Sequence, residues 1–240
     1  MTKDELCITC DINETKSNLT NVGISFFSGN YELNDFSNFC KNFGTIYFHR
    51  DSNESGITVV KNKMDSNITE EGFVGLTNND LFPHTDRSTI KNPPNVLILY
   101  CKYQSGQGGE TTLIDTKKIL SSLIEKFGLK FPLLEKNNTI FSDNIEMHKG
   151  NIFEVLEDGS YFTRFRNDKF AYFNSEVINI LPEFYRLIKE NTFTLKLEEG
   201  QGYIINNGRY LHGRNGFNGS REMWRILLHD NFLKQKGFNL

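Results

Sequence analysis

The chain has 240 residues, a formal net charge of −3 and a pI near 6.0, a balance that offers no basic field for nucleic acid. It contains no run of apolar residues long enough to span a bilayer as a helix, and its acidic N-terminus lacks the apolar stretch of a secretory leader. The expectation is a soluble, cytoplasmic protein that acts on a small molecule, with neither a nucleic-acid nor a membrane partner. Hydrophobic residues make up 38%, with 21 Phe and 9 Tyr beside one Trp, enough for a sizeable core and weighted toward sheet. No linker or internal repeat divides the sequence, so one domain over residues 1–240 is expected.

In chain order, Cys7 and Cys10 have C-x-x-C spacing, but no second pair follows at zinc-finger distance. They read as two ordinary thiols in a reducing compartment. Residues 19–28 are a mixed apolar run expected to be a strand. Phe36, Phe39, Cys40 and Phe43 recur at helical spacing before Gly44, which predicts a short helix. Residues 45–48 and 57–61 read as strands flanking a polar turn, and residues 65–79 as a loop.

That loop leads to Phe82-Pro83-His84-Thr85-Asp86-Arg87-Ser88. In extended backbone, residues two apart face the same way, so His84 and Asp86 can reach one small object such as a metal ion. Taken alone, the pair reads first as an ordinary hydrogen-bonded couple, well ahead of a metal site. Residues 96–101 follow as an apolar run typical of a strand buried on both faces. A glycine-rich turn at 105–109 and a strand at 110–115 come next, and Asp115 or Thr116 caps a helix to about Phe127. Short strands are predicted at 138–142, 151–156 and 160–166. A helix is predicted over 173–191, interrupted or restarted at Pro182. Residues 193–197 and 202–206 read as a hairpin pair, and 223–230 as the last strand. Many short strands with few helices suggest a sandwich or barrel with helices packed outside.

His212 stands out by its setting after an apolar strand and an Asn-Asn-Gly turn, and before Gly213, which lets another backbone approach closely. Further on, strand parity places Arg221, Met223, Arg225, Leu227 and His229 on one face. An arginine pointing inward is costly unless it meets an anion, whether a protein carboxylate or an acidic ligand. Two histidines and a carboxylate form the facial triad of non-haem Fe(II) oxygenases. A guanidinium fork downstream is what a chelating dicarboxylate cosubstrate needs.

Four segments, in this order, make the chain similar to the taurine dioxygenase-like superfamily of Fe(II)/2-oxoglutarate-dependent oxygenases, in particular its clavaminate synthase-like members. They are Pro83–Ser88, Gly108-Gly109-Glu110-Thr111, Asn206–Arg214 and Arg221–Arg225. The resemblance implies a mainly β fold with flanking helices around a double-stranded β-helix (jelly-roll) core. It implies that His84, Asp86 and His212 bind Fe(II). It gives Arg225 the distal carboxylate of 2-oxoglutarate, Thr111 a hydrogen bond to that cosubstrate, and Arg221 a place near cosubstrate or substrate. O2 is the third reactant, and succinate and CO2 are released as a C–H bond is hydroxylated. The presence of Asp86 argues against halogenation, which in related enzymes needs a small residue there. A shortened turn at 215–220 is also implied. For substrate contacts the candidates are Arg87, Arg209, Arg214 and, by parity with Arg225, His229; His49 and His148 read as structural or surface residues. A free amino acid or close derivative is the expected substrate. A carrier-bound or non-amino-acid substrate, a desaturation or cyclisation outcome, and a non-catalytic metal-binding module are the alternatives.

Overall fold

The computed structural model describes residues 8–61, 74–104, 106–135, 137–143, 145–233 and 235–240. Cys7 and most of the loop expected at 65–79 lie outside the described residues. In chain order the elements are α1 (Ile12–Val22), β1 (Ile24–Ser28), α2 (Leu33–Cys40), β2 (Thr45–Tyr47), β3 (Thr58–Lys61), β4 (Leu81–His84), β5 (Val96–Gln104), β6 (Gln107–Gly108) and β7 (Thr111–Asp115). There follow α3 (Thr116–Phe127), β8 (Thr139–Ser142), β9 (Met147–Gly150), β10 (Phe153–Val155), β11 (Tyr161–Thr163), β12 (Ala171–Phe173) and α4 (Ser175–Asn191). The chain closes with β13 (Thr192–Leu195), β14 (Gln201–Asn206), β15 (Tyr210–Arg214), β16 (Phe217–Asn218) and β17 (Arg221–His229).

Two antiparallel sheets face each other. One runs β1-β14-β5-β17-β2, with β3 sharing the β2 edge of β17; the other runs β13-β7-β15-β4. Side-chain alternation then divides the apolar residues into three layers. Leu97 and Cys101 of β5, Tyr203 and Ile205 of β14, and Met223 and Leu227 of β17 meet Leu113, Leu195 and Tyr210 between the sheets. Val96, Ile98 and Tyr100 point the other way, under Phe36, Cys40 and Phe43. Strand β5 is therefore buried on both faces, as its unbroken apolar run predicts. On the far side, Ile114 and Leu211 pack beneath Leu120 and Leu123 of α3 and Phe184 and Leu187 of α4.

Three local expectations are corrected. The strand expected over 19–28 begins only at Ile24, because α1 runs to Val22 and ends on Gly23 in the left-handed region (φ 76°). Only Thr15 and Leu19 of α1 are buried, so its apolar stripe is too thin to read. Helix α4 is not broken at Pro182: it is continuous, and the proline lies on its exposed face. The cost of a proline in a helix interior, about 3 kcal/mol from the lost hydrogen bond and the ring's clash together, is offset by the buried Val177, Leu181, Phe184, Leu187 and Ile188. The expected hairpin of 193–197 with 202–206 does not form. Strand β13 pairs with β7 and β14 pairs with β1 and β5, so the chain crosses between sheets at this turn. Strand β9 is an element the sequence reading did not anticipate.

Candidate metal centre

The four-stranded sheet brings the two histidines together. In the β15–β4 ladder His212 and His84 are register partners, and their rings lie 4.5 Å apart. Because His212 also stands opposite Leu113, both rings share the face turned toward the other sheet. Gly213 supports this approach, since a Cβ there would meet the Leu81 carbonyl and come within 3.0 Å of the Pro83 nitrogen.

Asp86 arrives differently from the sequence expectation. Strand β4 ends at His84, so simple alternation does not carry the carboxylate. Asp86 lies in the following turn, in which Arg87 adopts the left-handed conformation at φ 59°. Its backbone is fixed by Asn207, which accepts from the Asp86 N–H at 2.9 Å and donates to the carbonyls of Asp86 (3.0 Å) and Pro94 (2.9 Å). Asn207 is fully buried, and nothing in its Asn-Asn-Gly setting marks it as the residue that holds Asp86.

Potential ligand atoms of His84, Asp86 and His212 lie within 4.8 Å of one another. The Nε2 atoms of His84 and His212 are 3.7 and 3.8 Å from the Asp86 oxygens, beyond hydrogen-bond reach. His84 Nδ1 is 2.9 Å from the Phe82 carbonyl, which can only accept, so Nδ1 carries a proton and Nε2 is the nitrogen left to face the cluster. Burial, reinforced by His84, lowers the His212 pKa to about 3, keeping that imidazole neutral. Burial alone would raise the Asp86 carboxyl, but the positive charge around it, that of Arg225 first, outweighs burial and holds it well below its ordinary value. Two imidazole nitrogens and a carboxylate converge here without a hydrogen bond among them, a donor set that a cation can complete. The set fits a divalent metal of the N/O-ligated kind.

The guanidiniums differ in what they touch. Arg225, on the inner face of β17, places Nη1 3.2 and 3.1 Å from the two Asp86 oxygens. Arg221, on the same face and also buried, makes no hydrogen bond or ion pair among the described residues; its side chain lies over the Phe217 ring at 5.7 Å. Arg214 donates to the carbonyls of Gly75 (3.0 Å), Asn79 (2.9 Å) and Thr77. Burial, with Arg221 beside it, lowers Arg214 to about 10, so two cations share this end of the inter-sheet space. Thr111 is buried opposite Arg214 in the β7–β15 register. The guanidinium of Arg209 is filled by Asp115 in a bidentate pair at 2.9 and 2.8 Å, which makes it a brace at the start of α3. Arg87 pairs with Glu146 and stacks on Tyr47 at 5.6 Å. His229 meets the edge of the same tyrosine, with ring centroids 5.9 Å apart.

His49, read from sequence as structural or surface, lies within the electrostatic reach of the centre. Burial, followed by Arg225, lowers its pKa to about 4, and its Nδ1 accepts from the Asp51 N–H at 3.2 Å. No neighbouring motif marked it. His148 and Glu154 form a separate pair at 2.6 Å.

Residues 11–227 match the family model described as Taurine catabolism dioxygenase TauD, TfdA family. Human mitochondrial trimethyllysine dioxygenase is 24% identical over 229 residues, covering 85% of this chain and 54% of that protein. Human gamma-butyrobetaine dioxygenase is 27% identical over 185 residues, covering 70% and 46%. The chain thus spans about half the length of the curated relatives it matches. Among solved structures, an asparagine oxygenase in complex with Fe(II), 2S,3S-3-hydroxyasparagine and succinate has a TM-score of 0.70 at 11% identity, covering 91% of this chain and 78% of that one. A taurine dioxygenase from Burkholderia xenovorans has a TM-score of 0.68 at 14% identity, covering 96% and 83%. At such identities these two establish likeness of fold alone. With the family model matching nearly the whole described chain, the protein belongs to the TauD/TfdA dioxygenase family.

Proposed function

We propose that the protein is an Fe(II)- and 2-oxoglutarate-dependent dioxygenase that hydroxylates an unactivated C–H bond of a small polar metabolite, a free amino acid or close derivative. The observation that carries this reading is the His84–Asp86–His212 cluster on the inner face, beside a buried guanidinium at Arg221 that meets no counter-ion among the described residues. The two facing sheets are read as a double-stranded β-helix, and residues 1–240 as one oxygenase domain. Fe(II) held by His84, Asp86 and His212 would supply the oxidising power, with 2-oxoglutarate and O2 as co-reactants and succinate and CO2 as the products of the 2-oxoglutarate.

The chain's own residues supply position and charge. His84 and His212 each offer a ring nitrogen and Asp86 one oxygen, a three-donor set that on a bound metal would leave positions for cosubstrate and O2. We assign the distal carboxylate of 2-oxoglutarate to Arg221, aided by Thr111, in place of Arg225. A buried guanidinium without a counter-ion is the stronger anion site, whereas Arg225 already spends Nη1 on Asp86. Arg225 then holds the metal carboxylate ionised and faces whatever anion lies beside the metal. Arg87 and His229, around Tyr47, remain candidates for substrate contact. Arg209 and Arg214 serve as braces, because their donors are engaged with Asp115 and with loop carbonyls. A cytoplasmic setting is part of the proposal and agrees with free thiols at Cys10, Cys40 and Cys101. Among the described residues no helix is long and apolar enough to cross a membrane.

The amino-acid assignment draws on the relatives, named for trimethyllysine and gamma-butyrobetaine, and on a structural neighbour solved with (3S)-hydroxy-L-Arg. The test is a panel of amino acids and methylated derivatives scored for substrate-dependent succinate release. At least one is expected to respond. Silence across the panel with sulfonates active would overturn the substrate class. Absence of a visible charge-transfer band with Fe(II) and 2-oxoglutarate under anaerobic conditions would overturn the reading itself.

A further inference from the structure

Arg164 is 1% exposed and stands among the largest fully buried side chains, yet it lies outside every motif discussed above. A buried guanidinium is expensive unless its donors and its charge are both answered. Here Nη1 donates to the carbonyls of Ser88 and Ile90, both at 2.7 Å, and Nη2 to that of Lys91 at 3.3 Å. Nε and Nη2 reach the two oxygens of Glu154 at 3.2 and 3.4 Å. Glu154 accepts in turn from His148 Nε2 at 2.6 Å. Burial would raise the Glu154 carboxyl, but His148 and Arg164 lower it, so it serves as an ionised counter-charge.

The three carbonyls belong to the segment that directly follows Asp86 and Arg87. That segment is a turn without a ladder partner, in which Ser88 is 1% exposed, Ile90 half-buried and Lys91 exposed. Carbonyls covered by a buried side chain and lacking a ladder partner need other donors, and the fixed fork of one arginine supplies them here in place of a neighbouring strand. The next residue holds the other side of the ligand: Thr85 N–H donates to the Phe165 carbonyl at 2.8 Å, and the Phe165 N–H donates to Thr85 Oγ1 at 3.0 Å. Residues 164 and 165 thus grip the chain on both sides of Asp86, at Thr85 before it and from Ser88 onward after it.

We propose that Arg164 is a positioning residue for the metal centre: clamped by Glu154 and His148, it sets the turn that presents the Asp86 carboxylate. This rests on the reading of Asp86 as a metal ligand. The loss of such an outer partner elsewhere costs metal affinity on the order of 10–100-fold. Lysine keeps the charge of arginine but, as a single point donor, cannot span three carbonyls and a carboxylate.

The test is Co(II) titration of the full-length protein, followed by visible absorption and calorimetry, with the folded fraction fixed by circular dichroism. Four proteins are compared: wild type, Asp86→Ala, Arg164→Lys and Arg209→Lys. Arg209→Lys breaks a comparable ion pair that does not touch the turn, and serves as the stability control. Arg164→Lys is expected to bind Co(II) about tenfold more weakly per folded molecule, while Arg209→Lys binds like wild type. Wild-type affinity in Arg164→Lys, with Asp86→Ala impaired, overturns the positioning role alone. Wild-type affinity in Asp86→Ala overturns the metal reading beneath it. If Arg164→Lys does not fold, Glu154→Gln decides: it leaves Arg164 in place but loosens the clamp. A severalfold loss of Co(II) affinity supports the proposal, and unchanged affinity overturns it.

Discussion

His84 and His212 face each other as cross-strand partners in the β4–β15 ladder, with ring centroids 4.5 Å apart. The metal geometry therefore depends on a pairing register. A shift of one residue would turn one imidazole to the opposite face of the sheet.

The ligand assignment predicts that His84→Ala, Asp86→Ala and His212→Ala each lose metal binding. The loss should exceed the 10–100-fold typical of removing an outer partner. Calorimetric Fe(II) or Co(II) titration checks this, and His84→Ala binding metal like wild type would contradict it.

The contrast between the two inner arginines gives a second prediction. Arg221→Ala should raise the 2-oxoglutarate KM by roughly 30–100-fold, the loss of about 2–3 kcal/mol of charge-assisted hydrogen bonding. Arg225→Ala should instead weaken metal binding, because it removes the cation that holds Asp86 ionised. Steady-state kinetics beside metal titration separates the two; equal effects of both variants on the 2-oxoglutarate KM would reverse the assignment.

Gly213 offers a structural test of the same ladder. A methyl group there would press on the Leu81 carbonyl and lie 3.0 Å from the Pro83 nitrogen, forcing β4 away from β15. Gly213→Ala should cost about 1–3 kcal/mol, as overpacking does, and should weaken metal binding. Urea denaturation measures the first effect, and a stable variant with intact affinity would rule out the close approach.

Acidification should destabilise the metal-free protein. His212 and His49 are lowered to about 3 and about 4, so below an unfolded pKa of about 6.5 the unfolded chain takes up protons that the folded one refuses. Their contribution is complete above pH ~6.5 and falls by about 1.4 kcal/mol per pH unit for each histidine down to its folded value. Urea unfolding of chelator-treated protein at pH 7.5, 6 and 5 reads the slope. His49→Gln should flatten it, and an unchanged slope would place His49 outside the buried centre.

Sequence alone determined the features governed by local chemistry. Asp115 caps α3 by accepting from the Lys117 N–H at 3.1 Å, and the unbroken apolar run at Val96 forms the doubly buried strand. The parity of β17 survives because the register shift beside Glu222 and Met223 is taken up by β5, so Arg221, Met223 and Arg225 still share the inner face. Tertiary structure decided what depends on partners remote in the chain. It set β13 and β14 in opposite sheets although a short turn joins them, because long-range ladders offer more burial than a local hairpin. It also divided the arginines, which look alike in sequence: Arg209 meets Asp115, Arg164 meets the carbonyls beyond Asp86, and Arg221 meets no counter-ion among the described residues. Whether a guanidinium is brace, clamp or anion site is a matter of which groups surround it, and those are fixed only when the sheets close.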